Sequence, residues 1–67
     1  MNIIINGETR AVTEDTVTVI DLLKKYQLED ARIAVEQNGN ILMKEEWDET
    51  LLGEQDKIEI VHFVGGG

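Results

Sequence analysis

The chain has 67 residues, enough for one small domain but not for a second hydrophobic core. It contains no cysteine, which excludes disulfide bonds, thiolate metal sites and a thiol nucleophile. Fourteen acidic residues against six basic ones give a formal net charge of −8, which disfavours nucleic-acid binding. We find no signal-peptide pattern and no apolar run near the ~18 residues of a membrane span, so we expect a cytoplasmic protein.

Two Asn-Gly pairs predict two β-hairpins. The pair at 6–7 follows the β-branched run 3–5, and the pair at 38–39 follows the apolar segment 33–37. Asn-Gly is the preferred pair of the type I′ turn, whose twist matches that of the strands on either side. We therefore predict one antiparallel strand pair around each turn.

A helix is predicted between the hairpins, at about residues 18 to 26. Thr18 suits the N-cap, and Asp21 three residues later resembles the second member of a capping box. The apolar residues that follow have the i, i+3, i+4, i+7 spacing of one buried face. That face is predicted to consist of Val19, Leu22, Leu23 and Tyr26.

The acidic segment 44–50 predicts one helical turn, anchored in the core by Trp47. A polar turn then leads into a final strand, which we predict at 57–64. Strand alternation places Ile58 and Ile60 of this strand toward the core.

Val61 and Phe63 fall on the opposite face of the final strand. Exposed apolar side chains often mark an interface, so the two residues are candidates for a docking patch. A β-bulge or local burial would explain them equally well, and the sequence leaves both interpretations open.

The order hairpin, helix, hairpin, helical turn and strand predicts an α+β fold. A mixed sheet of about five strands would pack on one main helix, because the apolar helix stripe and one sheet face must cover each other. In this β-grasp arrangement the last strand lies beside the first, in parallel, in the middle of the sheet. We expect a single β-grasp domain at 1–64 and a flexible glycine-rich tail at 65–67.

The side chains offer little catalytic chemistry. His62 has no cysteine and no second histidine to work with, and we expect it to be half-buried and hydrogen-bonded. The carboxylates of segment 45–49 lack the alternating ligands and central glycine of a calcium loop. We therefore predict no catalytic residue and no metal site.

The glycines at 65–67 are the most informative feature. Because glycine has no Cβ, such a segment can enter a channel too narrow for any side chain. We expect the α-carboxylate of Gly67 to be the functional group, acted on by other proteins. A frayed chain end is the alternative.

Several segments occur together in an order typical of one known family. They are Trp47, Leu51-Leu52, the run Asp56-Lys57-Ile58-Glu59-Ile60-Val61, and Val64-Gly65-Gly66-Gly67. With the Ile-rich first strand, they resemble the ThiS family of bacterial thiamin sulfur carriers over the whole chain.

The resemblance implies a ubiquitin-like β-grasp fold and a role in making the thiazole part of thiamin. In that family a ThiF-like enzyme uses ATP and Mg²⁺ to adenylate the C-terminal glycine, and a cysteine desulfurase is the source of sulfur. A ThiG-like thiazole synthase takes the sulfur from the resulting thiocarboxylate. The carrier itself is expected to bind no cofactor.

Carried over by position, the resemblance assigns roles near the end of the chain. Gly67 is the modified residue, Gly66 is the second residue of the essential pair, and Gly65 extends the tail. The candidates for partner contact are Val61, Phe63 and Val64. Three rival roles stay open: a MoaD-like carrier for molybdopterin or another pathway, a ubiquitin-like covalent modifier, and a plain interaction domain.

The sequence departs from the family at the turn before the last strand, where Gln55-Asp56 replaces the usual Gly-Asp. If this turn requires a positive φ, Gln55 is strained by about 1 kcal/mol. Otherwise Gly53 adopts that conformation and the turn is rearranged.

Overall fold

The computed structural model of the chain describes residues 1–63. This part contains five strands, one α-helix and one short 3-10 helix. None of its helices is long and apolar enough to cross a membrane. In chain order the elements are β1 (Asn2–Ile5), β2 (Glu8–Ala11), α1 (Val19–Lys25), β3 (Ile33–Gln37), β4 (Asn40–Leu42), the 3-10 helix Lys44–Glu46 and β5 (Lys57–His62).

The strands form one mixed sheet in the order β2-β1-β5-β3-β4. The last strand in sequence, β5, lies in the centre, parallel to β1 and antiparallel to β3. The predicted α+β fold, with the last strand parallel to the first in the middle of the sheet, is confirmed.

Both predicted hairpins are present, and their turns explain why. In the first turn φ is 48° at Asn6 and 83° at Gly7, and in the second it is 50° at Asn38 and 88° at Gly39. A type I′ turn requires positive φ at both central residues, a conformation that asparagine and glycine adopt most readily. The two Asn-Gly pairs therefore set the pairing of β1 with β2 and of β3 with β4.

The predicted capping box starts the helix. Asp21 N–H donates to Thr18 Oγ1 at 3.3 Å, and Thr18 N–H donates to Asp21 Oδ2 at 3.0 Å. These reciprocal bonds satisfy two backbone donors at the helix start. They also place the carboxylate of Asp21 at the positive end of the helix dipole. The backbone N–H groups of Thr18 and Val17 donate to this carboxylate and lower the pKa of Asp21.

The predicted buried face of the helix is confirmed at Val19, Leu22 and Leu23 but is wrong at Tyr26. Tyr26 is the C-cap, where the chain leaves the helix through Gln27 at a φ of 59°, so its side chain extends beyond the core. The phenol ring is exposed and lies under the Arg10 guanidinium, whose carbon is 5.9 Å from the ring centroid.

The core lies between α1 and the inner face of the sheet. Fully burying one aliphatic side chain contributes about 2 kcal/mol, so this layer holds the helix to the strands. Trp47, only 3% exposed, follows the 3-10 helix and packs in this core, as predicted. The core residues are Ile3, Ile5, Val12, Val19, Leu22, Leu23, Ile33, Val35, Trp47, Ile58 and Ile60.

Candidate functional site

The central strand β5 is hydrogen-bonded on the β1 side as far as Ile60 and on the β3 side as far as Phe63, the last residue that the structure describes. On the β1 side, Ile60 N–H donates to Asn6 Oδ1 at 2.7 Å, and Asn6 Nδ2 donates to the Ile60 carbonyl at 3.2 Å. On the β3 side, Phe63 N–H donates to the Arg32 carbonyl at 2.9 Å, one step past the end of the strand. These hydrogen bonds fix the position of the chain as far as Phe63.

The predicted functional glycines lie outside the described residues. This applies to the predicted modified residue Gly67, to Gly65 and Gly66, and to the partner-contact candidate Val64. The division into a domain at 1–64 and a tail at 65–67 likewise stays a prediction. The structure shows the surface formed by the residues up to Phe63, which come before them in the chain.

The other two partner-contact candidates are exposed on the side of the sheet that faces away from α1. Val61 is 54% exposed and Phe63 is 61% exposed. The register between β3 and β5 runs without interruption from Gln37–Ile58 to Ile33–His62, so there is no bulge in this pairing. The alternative of a bulge or local burial is wrong, and the docking-patch interpretation stays.

Further apolar side chains extend this surface across β3 and β4. Ile41 is 70% exposed, and Met43 is also exposed. With Ala34, Phe63 and other residues they line an open depression of about 590 Å³. We call Ala34, Ile41, Met43, Val61 and Phe63 the apolar face; contiguous exposed apolar area of this kind marks an interaction surface.

The β4 part of the apolar face was not predicted from the sequence. The available signal was the alternation within β4, where Leu42 packs against the core and Ile41 must therefore point the other way. The sequence does not determine the order of the strands in the sheet. Only the structure shows that β3 and then β4 follow β5 and extend its exposed surface.

Asp56 fixes the turn that precedes β5. Its carboxylate accepts hydrogen bonds from Gly53 N–H at 2.8 Å, Gln37 Nε2 at 3.0 Å and Asn38 Nδ2 at 3.0 Å. Partial burial raises the pKa of Asp56, but the hydrogen bonds from Asn38, Gly53 and Gln37 outweigh it, so the pKa lies below its ordinary value. An ionised Asp56 thus ties the β3–β4 turn to the start of β5.

Gln55, which stands where the family usually has glycine, has a strained backbone conformation. Gln55 has a φ of 67°, whereas Gly53 does not have a positive φ, so the rearranged turn is wrong and the strained one is confirmed. The left-handed conformation costs a residue with a Cβ about 1 kcal/mol. A hydrogen bond of 2.7 Å from Gln55 N–H to the Asn2 carbonyl holds the turn against β1.

The described residues bring no metal-binding group together. Between residues 1 and 63, no cluster of three or more His, Asp or Glu side chains could hold a metal ion. His62 is exposed, so the half-buried position predicted for it is wrong. It occupies the inner-face position of β5 beyond the core residues Ile58 and Ile60, where the core no longer covers the strand.

Comparisons with known proteins cover the whole chain. The sequence profile of the ThiS family matches residues 3–67. The sulfur carrier protein ThiS of Bacillus subtilis is 49% identical over 63 residues, which cover 94% of this chain and 96% of that protein. The crystal structure of the thiamine biosynthesis protein (ThiS) from Geobacter metallireducens superposes with a TM-score of 0.84 at 33% identity and 100% coverage of both chains.

A longer relative is also similar. The thiazole synthase of Paramagnetospirillum magneticum is 37% identical over 67 residues, which cover 100% of this chain but only 20% of that protein. In that relative, a stretch similar to this chain is one part of a longer polypeptide.

Proposed function

The chain belongs to the ThiS family of sulfur carriers for thiamin biosynthesis, and we propose that it carries the sulfur as a thiocarboxylate on Gly67. The observation that carries the proposal is the family match, which includes all three terminal glycines and reaches residue 67. A small sulfur carrier protein is not itself a catalyst, so partner enzymes perform each chemical step.

The chemistry begins with activation of the carboxylate. A carboxylate resists nucleophilic attack because its leaving group would be oxide. A ThiF-like enzyme using ATP and Mg²⁺ joins the Gly67 carboxylate to AMP and releases pyrophosphate. The acyl carbon then has a good leaving group.

Sulfur transfer to the activated carrier follows. A sulfur nucleophile attacks the acyl carbon, and AMP leaves with the electron pair of the C–O bond. When the sulfur arrives as a persulfide on a cysteine desulfurase, a thiol must then reduce the S–S bond to free the thiocarboxylate. The thiocarboxylate is ionised at neutral pH, and its nucleophilic sulfur is passed to the thiazole synthase.

The described part of the chain supports this role through its surface. The hydrogen bonds of Ile60 and Phe63 tie β5 to its neighbours as far as Phe63. The apolar face lies beside that strand, so a partner that covers it would receive the glycines in a defined position. We propose Val61, Phe63 and Val64 as partner contacts.

A ThiG-like thiazole synthase is the acceptor that the relatives favour. The longer relative carries a stretch like this chain within a thiazole synthase polypeptide. Linking two units in one chain raises their effective concentration to the millimolar range, which helps only when the two units work together. We propose that the same two units associate in the function of this chain.

The intact mass of the protein tests the proposed modification. The purified chain is incubated with ATP, Mg²⁺, its adenylating enzyme, a cysteine desulfurase, cysteine and a thiol reductant. We expect a mass increase equal to replacement of one oxygen by sulfur, located at Gly67 by fragmentation, and no increase for a variant that lacks Gly67. An unchanged mass, with enzymes that load the Bacillus carrier under the same conditions, would overturn the proposal.

A further inference from the structure

Two glutamates face each other across the centre of the outer sheet face. Glu36 of β3 and Glu59 of β5 are register partners. Like charges directly opposite each other destabilise a sheet. Neither carboxylate joins an ion pair within residues 1–63, and Lys57, two residues before Glu59 on the same face, does not pair with them either. By this rule the pairing is unfavourable for the free protein, and no ion pair among the described residues offsets it.

The two glutamates border the apolar face. Ile41 is the register partner of Glu36 on β4, and the next pair on the same face of β3 and β5 is Ala34 with Val61. A partner surface that covers the apolar face would therefore also cover the two carboxylates. Excluding water there strengthens the attraction between these carboxylates and an opposite charge.

We propose that Glu36 and Glu59 together receive one cationic side chain, an arginine or a lysine, from the thiazole synthase when that enzyme covers the apolar face. This inference rests on the proposed function. The cation follows from the charge of this chain, which is −8 overall, and from the two like charges that no described residue neutralises. We infer that the partner is the thiazole synthase because one relative carries a stretch like this chain within a thiazole synthase polypeptide.

Affinity measurements with the purified thiazole synthase test the cation. The variants are Glu36→Gln, Glu59→Gln and the double variant, with Glu14→Gln in the β2–α1 loop as the charge-matched control. We expect each single change to weaken binding about fivefold and the double change to weaken it further, because a covered cation loses its partners. The control should stay within about twofold, and added salt should weaken the wild-type chain more than the double variant.

Thermal unfolding of the free carrier separates recognition from structural damage. Removing like-charge repulsion should raise the unfolding midpoint of the double variant by about 2 °C, while its affinity falls. Unchanged affinity, lost affinity with a lowered midpoint, or no binding by the wild-type chain would each overturn the inference. Failure of the proposed function is distinguishable, because it appears as absent sulfur loading on wild-type Gly67.

Discussion

The side-chain amide of Asn6 binds both backbone polar groups of Ile60. The Ile60 N–H donates to Asn6 Oδ1 at 2.7 Å, and Asn6 Nδ2 donates to the Ile60 carbonyl at 3.2 Å. The backbone of β1 pairs with β5 only as far as Ile5 and Ile58, after which the chain turns away at a φ of 48°. The side chain of Asn6 thus makes the hydrogen bonds to Ile60 that the backbone of β1 no longer makes. The first turn of the chain thereby anchors the last strand.

We predict that Asn6→Gly destabilises the protein by about 2 kcal/mol, because glycine keeps the turn conformation but leaves both Ile60 groups without a partner. Asn38→Gly is the matched comparison: Asn38 Oδ1 accepts from Lys57 N–H and Nδ2 donates to Asp56, both at exposed positions. Asn38→Gly should lower the free energy of unfolding by less than Asn6→Gly does. Urea unfolding measures both. An equal or smaller loss for Asn6→Gly would contradict the anchoring role.

The strained turn predicts a stabilising substitution. Gln55→Gly should raise the free energy of unfolding by about 1 kcal/mol, because glycine adopts the φ of 67° without a Cβ clash. Gln55→Ala is the control, since alanine loses the same polar side chain but keeps the strain. If alanine stabilises as much as glycine, the effect comes from the side chain and strain is not its cause.

Asp56 predicts a pH dependence of stability. Because its folded-state pKa is lowered, its contribution is fully present above the unfolded-state pKa near 3.8 and is lost as the pH falls through the folded-state value. Asp56→Asn should therefore destabilise the protein at neutral pH, and its deficit relative to wild type should shrink below about pH 4. Unfolding curves across this range measure the deficit.

The control for this experiment is Asp48→Asn, at an exposed position that makes no hydrogen bond to the described residues through its carboxylate. It should change stability little at any pH. A deficit for Asp56→Asn that stays constant down to the acid range would show that the side chain acts through packing and not through its charge.

The apolar face predicts a functional substitution with little effect on folding. Phe63→Ser should weaken binding to the thiazole synthase about tenfold, because Phe63 is 61% exposed and has apolar area available for an interface. Leu51→Ser is the matched control, since Leu51 is 66% exposed but lies outside the apolar face. Equal losses for both variants would show that the effect is not specific to this surface.

Local chemistry explains which parts of the fold were predictable. An Asn-Gly pair specifies a type I′ turn wherever it occurs, and Thr18 with Asp21 marks a helix start, so these features needed no knowledge of tertiary structure. The two wrong burial predictions concern residues whose exposure depends on tertiary structure. Tyr26 has the spacing of a buried residue but lies at the helix end, and His62 lies past the edge of the core.

The site was predictable only in part for the same reason. Val61 and Phe63 were identified because their alternation lies within one strand. The contribution of Ile41 and the opposition of Glu36 and Glu59 depend on which strands are neighbours and on their register. No pattern within a single segment contains that information.

Transfer of labelled sulfur from Gly67 to its acceptor tests the carrier role directly. The carrier is loaded with isotopically labelled sulfur at Gly67 and mixed with the thiazole synthase and its remaining substrates, and the mass of the carrier and the label in the thiazole product are measured together. We expect the carrier to return to the mass of its carboxylate form and the label to appear in the thiazole. If the carrier keeps its sulfur, while the same synthase accepts sulfur from the Bacillus carrier, the proposed carrier role is wrong.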